Sequence, residues 1–400
     1  MPHKKLVPIG ALVILMLMTS SAYALSVKIC FKIDLNLYDA MDEAGDYINS
    51  NIPITGYGIK AKVGENGNGP VLFETWTDSD TGCTPYLTMS SAKSYYIRAY
   101  SMSKSVDTNY VKVYTSSTEE YYFTNTLDAD FTPAASGTYT FNYDNFPDIL
   151  DGFNEGNVLA VASYAIRRKP AGLTAEWFKF YRETCSGDGL GNACFKNGAI
   201  YIDDENNIAQ NNKTGITHEM GHAVGYKSNN YQNALHDYTD TGDDDIYEGD
   251  DDSSPTPTPW PCYSTSEGHH ENSRELQRGA AVEGIAHFYA ASIWNIKNDG
   301  DCWFRGLDCQ DDEDYMHDIC DPPFTNRAVE SDWLRFWWDV YEDMDLTVAE
   351  IFELWDLANP NNWTNASVFE RLRNAADAMN LSLTLWDNLA DANGVDQGVW

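Results

Sequence analysis

His218-Glu219-Met220-Gly221-His222 sets two imidazoles four residues apart with a carboxylate between them. On an α-helix, residues four apart lie one above the other on the same face, so both imidazoles can reach a single ion. Glu219 stands about a quarter-turn round, near enough to touch a bound water without taking a ligand position. Zinc needs neutral nitrogen donors, a third protein ligand and an open position for water, which its charge makes nucleophilic near neutral pH. The competing reading is an incidental His/Glu pair on a surface helix, and the flanking pattern argues against it. Ile216, Met220 and Val224 recur at i, i+4 and i+8, an apolar stripe beside the histidine stripe. Asn211, Asn212 or Thr214 is the expected cap and Gly225 the expected stop. Gly221 weakens a helix, so its missing side chain points to close packing. Just upstream, residues 198–203 read as a short strand and polar turn, leaving a strand edge to which an extended peptide can add.

A third ligand at the spacing Gly-x-x-His would fall at position 228, which is Ser228. The better candidate is Glu283, a lone carboxylate in the apolar helical run Ala280–Ala291, because an unpaired buried carboxylate demands a partner. A zinc ion is one such partner and a cationic side chain is another. His287 falls one turn after Glu283 on the same face, where it orients a ligand, reaches a reacting carbonyl, or serves simply as a core histidine.

HEMGH followed by a distant run reading EGIAHF resembles the gluzincin branch of the zincin metallopeptidases, in which a downstream glutamate completes the zinc site. The stretch from Ser273-Arg274-Glu275 through Glu283 to Tyr289 is similar, more narrowly, to secreted bacterial zincin-like proteins of unassigned substrate. The resemblance spans residues 199–290. It implies zinc on His218, His222 and Glu283, with Glu219 as general base.

The chain begins like an exported protein. His3, Lys4 and Lys5 form a basic start, Leu6 to Met18 an apolar core, and Ala22-Tyr23-Ala24 a small-residue cleavage motif. The core is short for a membrane span, so no span is expected once the signal is removed. Eight cysteines in such a chain point to disulfides; Cys185 with Cys194, and two of Cys302, Cys309 and Cys320, are the local candidates. A net charge of −35 excludes nucleic acid and anionic membrane as natural partners.

Alternating apolar residues at Val27, Ile29, Phe31 and Ile33, and at Tyr57, Ile59, Ala61 and Val63, predict strands. Further strand-like runs lie at 95–100, 110–115, 120–124 and 138–143. A helix is expected over Asn154–Arg168, stopped by Pro170. The acidic tract from Asp237 to Asp252 and the Ser-Pro-Thr-Pro run after it cannot bury a core. Within it, Asp237, Thr239, Thr241, Gly242, Asp245 and Glu248 match the ligand frame of an EF-hand-type calcium loop, against the simpler reading of a solvated acidic loop. Beyond Asn272 the pattern is helical apart from a cysteine-rich loop around 300–323, with helices at 326–341, 347–357, 367–379 and 381–392.

The expected fold is α+β. A signal peptide (1–24) precedes a β-sandwich module (25–143) of immunoglobulin-like or transthyretin-like type, then a zincin-like unit of small sheet and active-site helix (144–228). An acidic, proline-rich insertion (229–270) leads to a helical lobe carrying the third zinc ligand (271–400). The expected activity is secreted or periplasmic zinc-dependent hydrolysis of peptide or protein substrates. Glu219 is the base, and His287, Tyr289, Tyr315 and His317 are candidate oxyanion donors. The rival readings are a non-catalytic scaffold carrying a binding module, and a zinc hydrolase of non-peptide amides.

Overall fold

The computed structural model describes residues 23–34, 53–55, 58–67, 69–105, 109–116, 119–120, 122–124, 131–142, 155–168, 177–181, 193–202, 213–230, 274–298, 302–304, 307–310 and 327–396. The expected signal segment through Ala22, the acidic tract with its expected calcium frame, His269, His270, Tyr315, His317, Cys185, Cys262 and Cys320 lie outside them.

Helix and sheet are mixed, with open sheets first and helices last. Strand Ala24–Asp34 runs parallel to Gly137–Asn142 and antiparallel to Pro53–Thr55 and Leu87–Ser90. A second sheet is ordered Tyr122–Thr124, Tyr95–Tyr100, Lys60–Glu65, Val71–Trp76. The alternation expected from sequence sets the inward faces: Val27, Ile29, Phe31, Ile59, Ala61 and Val63 are all buried in one core. Cys30 and Cys83 form a disulfide across this part of the chain, and Cys302 and Cys309 form another. Cys194 is also disulfide-bonded.

The third sheet has six strands, and it crosses residue 143, the expected module boundary. Tyr110–Ser116 pairs in parallel with Trp177–Tyr181, which pairs in parallel with Ala199–Ile202. Composition alone assigns 110–116 to the preceding all-β module because a strand's partner is not written in its own residues. One face of this sheet, carrying Val111, Val113, Phe178, Phe180, Ile200 and Ile202, is buried. Helix α1 (Glu155–Arg168) packs on it, with Val158, Leu159 and Ala162 among its fully buried residues. The outermost strand is Ala193–Lys196, antiparallel to Ala199–Ile202. Asn197 and Gly198, both at positive φ (54° and 80°), make the tight turn between them. The edge strand beside the motif helix is therefore Ala193–Lys196 and not the 199–202 strand expected to supply it. Phe195 leans on Tyr226 of that helix, with ring centroids 5.4 Å apart.

The motif helix, α2 (Lys213–Ser228), runs through Gly225 rather than stopping there. Gly225 lies beneath the side chains of Trp355 and Phe352, at distances a Cβ would meet in ordinary contact. Asn230, at φ 52°, turns the chain out of the helix instead. Thr214, a candidate cap, lies inside α2, where its carbonyl accepts from the Thr217 hydroxyl.

Helix α3 (Gln277–Trp294) packs on α2 and on α4 (Glu330–Asp343). Short strands Arg274–Leu276 and Arg327–Val329 pair ahead of these two helices, where helix alone was expected from 326. Helices α5 (Val348–Ala358), α6 (Val368–Ala378) and α7 (Leu383–Ala392) complete the lobe. Trp333, Trp337, Trp338, Trp355, Trp363 and Trp386 are fully buried within it, as expected for packing aromatics. No helix among the described residues is long and apolar enough to cross a membrane.

Candidate metal centre

Two helices with almost no room between them build the site. A Cβ on Gly221 would stand 2.7 Å from the Cα and carbonyl oxygen of Ala286, so glycine alone lets α2 approach α3 this closely. That approach brings His218 and His222 of α2 to Glu283 of α3. Glu283 Oε2 lies 2.9 Å from His218 Nε2 and 3.1 Å from His222 Nε2, and the two Nε2 atoms are 3.1 Å apart. Three electron-pair donors converge on one point, and this buried group can hold a metal ion.

Burial decides the charge state. It holds the His218 imidazole far below its ordinary value near 6.5, to about 3, with His287 adding to the depression and the Glu283 contact opposing it. His218 is therefore neutral at physiological pH, as an imidazole ligand must be. Between pH 6.5 and 3 the unfolded chain binds a proton here that the folded chain refuses, so stability falls as pH drops through that window. For chelator-treated protein, the urea midpoint is expected to fall on acidification from about pH 7 to about pH 4.5, and less so in His218→Gln. Equal pH slopes for the two proteins would remove His218 as the cause.

Glu219 is buried, 8 % exposed, and follows His218 directly on α2 without belonging to the donor triangle. His287, one turn beyond Glu283, is buried with its ring tilted against that of His218, centroids 4.3 Å apart. Its Nε2 lies 2.8 Å from Glu330 Oε2, and Phe304 flanks its ring. Tyr289, a candidate oxyanion donor, is not brought to the cluster. Two residues past His287 it points about 200° round α3, where it packs on Phe352. Burial there raises its phenol above the ordinary value.

Glu330 is the residue sequence reasoning missed. It is 1 % exposed and opens α4, three residues ahead of the first tryptophan of a tryptophan-rich run. Ser331 and Asp332 follow it, so the start of this helix reads as an ordinary polar first turn and lacks the isolation that singled out Glu283.

No protein-family model matches the chain, and no curated protein matches it. Function therefore rests on the geometry.

Proposed function

We propose that the chain is an exported zinc metallopeptidase of the gluzincin type, with a sandwich-like N-terminal β module and a zincin-like catalytic unit. The observation that carries the reading is the meeting of His218, His222 and Glu283 from two helices, with Glu219 beside them.

The donor set fits zinc. Tetrahedral zinc with ligand bonds of about 2.0–2.1 Å sets its ligand atoms roughly 3.3 Å apart. The three separations here, 2.9, 3.1 and 3.1 Å, fall within a few tenths of an ångström of that spacing. Two imidazoles and one carboxylate make a three-ligand set, which leaves a position for water. When bound, zinc supplies the positive charge that acidifies water and polarises a carbonyl. Glu219 takes the proton from the attacking water onto its carboxylate and returns it to the departing amine. The neutral state of His218 keeps its nitrogen available as a donor. The Ala193–Lys196 edge beside α2 offers main-chain hydrogen bonds to an extended substrate. The disulfides suit an oxidising compartment, in keeping with the signal-like start.

The test compares wild type with Glu283→Ala in metal content and in casein hydrolysis before and after chelation. The expected result is zinc in wild type, cleavage abolished by chelator and restored by zinc, and metal affinity in Glu283→Ala weakened by more than about a hundredfold, the upper end of what losing an outer partner costs. Chelator-resistant cleavage, or normal zinc content in Glu283→Ala, would overturn the reading.

A further inference from the structure

We propose that the chain holds a second metal ion beside the first, bound by Glu283, His287 and Glu330, with Glu283 shared between the two. This rests on reading His218, His222 and Glu283 as a metal centre and extends it to a dinuclear one.

A second group of ligand-type side chains adjoins the first. Ligand-type atoms of Glu283, His287 and Glu330 lie within 4.8 Å of one another, the same span that encloses His218, His222 and Glu283, and Glu283 belongs to both sets. Paired ions in two-metal sites stand about 3.5–4 Å apart, a span that one carboxylate covers with its two oxygens. Both first-site histidines contact the same oxygen, Glu283 Oε2, so a bridge engages Oε1 on the other side. On α3, Glu283 and His287 are four residues apart, which presents two donors on one helix face just as His218 and His222 do on α2. Glu330 enters from α4, with Oε2 2.8 Å from His287 Nε2.

Electrostatics favour a cation there. Glu283 and Glu330 are each 1 % exposed and His287 3 %, so two carboxylates share a dry space. Like charges that close and that desolvated repel strongly, and a dication between them removes the cost. The backbone is built for the second half as it is for the first. A Cβ on Gly284 would collide with Cβ of Trp333 and stand 3.0 Å from the Glu330 carbonyl, so a glycine beside Glu283 admits the start of α4. Gly221 brings in one wall of donors and Gly284 brings in the other.

The full secreted chain, stripped by chelator, reloaded with Zn2+ or Co2+ and dialysed, is assayed for bound metal by plasma mass spectrometry. The expected content is about two ions per chain in wild type and about one in Glu330→Gln. Magnetic coupling between Co2+ ions is expected in wild type and lost in the variant. One ion in wild type, unchanged in Glu330→Gln, overturns the inference and leaves His287 and Glu330 as a plain hydrogen-bonded pair. If Glu330→Gln fails to fold by circular dichroism, Co2+ titration of wild type decides: two uptake steps support the second site and one step sinks it. Casein cleavage with a single ion per chain removes the second site and leaves the peptidase reading standing. Two ions without cleavage of any peptide does the reverse.

Discussion

Glu219→Gln lowers the turnover of casein by roughly 10²- to 10⁴-fold while metal content stays at the wild-type level, the span that a positioned acid–base contributes. Glutamine matches glutamate in shape but cannot accept a proton, so the substitution removes the transfer and little else. Glu219 stands outside the donor triangle of His218, His222 and Glu283, which is why the metal is retained. A group acting in the transition state affects kcat rather than KM, so the loss falls on kcat. Wild-type turnover in Glu219→Gln would strip the residue of its role, and loss of metal along with activity would make it structural.

Gly221→Ala destabilises the protein and weakens its metal affinity, although helix propensity predicts the opposite. Alanine in a helix interior is favoured over glycine by about 1 kcal/mol, so an uncrowded position would gain stability. At Gly221 the added methyl would lie 2.7 Å from the backbone of Ala286, and backbone cannot swing aside as a side chain does. Overpacking of this kind costs about 1–3 kcal/mol and outweighs the propensity gain. The strain is relieved by pushing α2 away from α3, which draws His218 and His222 off Glu283. The urea midpoint and the zinc affinity therefore fall together. A more stable variant with unchanged zinc binding would mean the helices are not in contact there.

Much of the site was legible because its donors sit on regular helices. His218, Glu219 and His222 are local, so the 3.6-residue period alone puts them on one face. Glu283 was legible by a different signal, a carboxylate too isolated in apolar surroundings to go without a partner. Glu330 carried no such signal, because with Ser331 and Asp332 beside it the carboxylate reads as part of a polar helix start. The helices of the C-terminal lobe were read to within a few residues, since their apolar spacing is a property of each segment alone. Gly225 misled, because a glycine late in a helical run marks a stop only where the backbone turns, and here the turn falls at Asn230.

The sequence by itself determined the pair of histidines and the carboxylate between them, the strand alternation of Val27, Ile29 and Phe31, the tryptophan-packed lobe, and a close contact at Gly221. Each of these is set by chemistry within a few residues of chain. Only the tertiary structure decided what meets across long separations. It joined 110–116 to 177–202 in one sheet and made Ala193–Lys196 its edge. It brought Glu283 to the histidines and set Glu330 against His287. Such encounters depend on how closely separate elements can approach, and two glycines, Gly221 and Gly284, permit that approach at the His/Glu cluster.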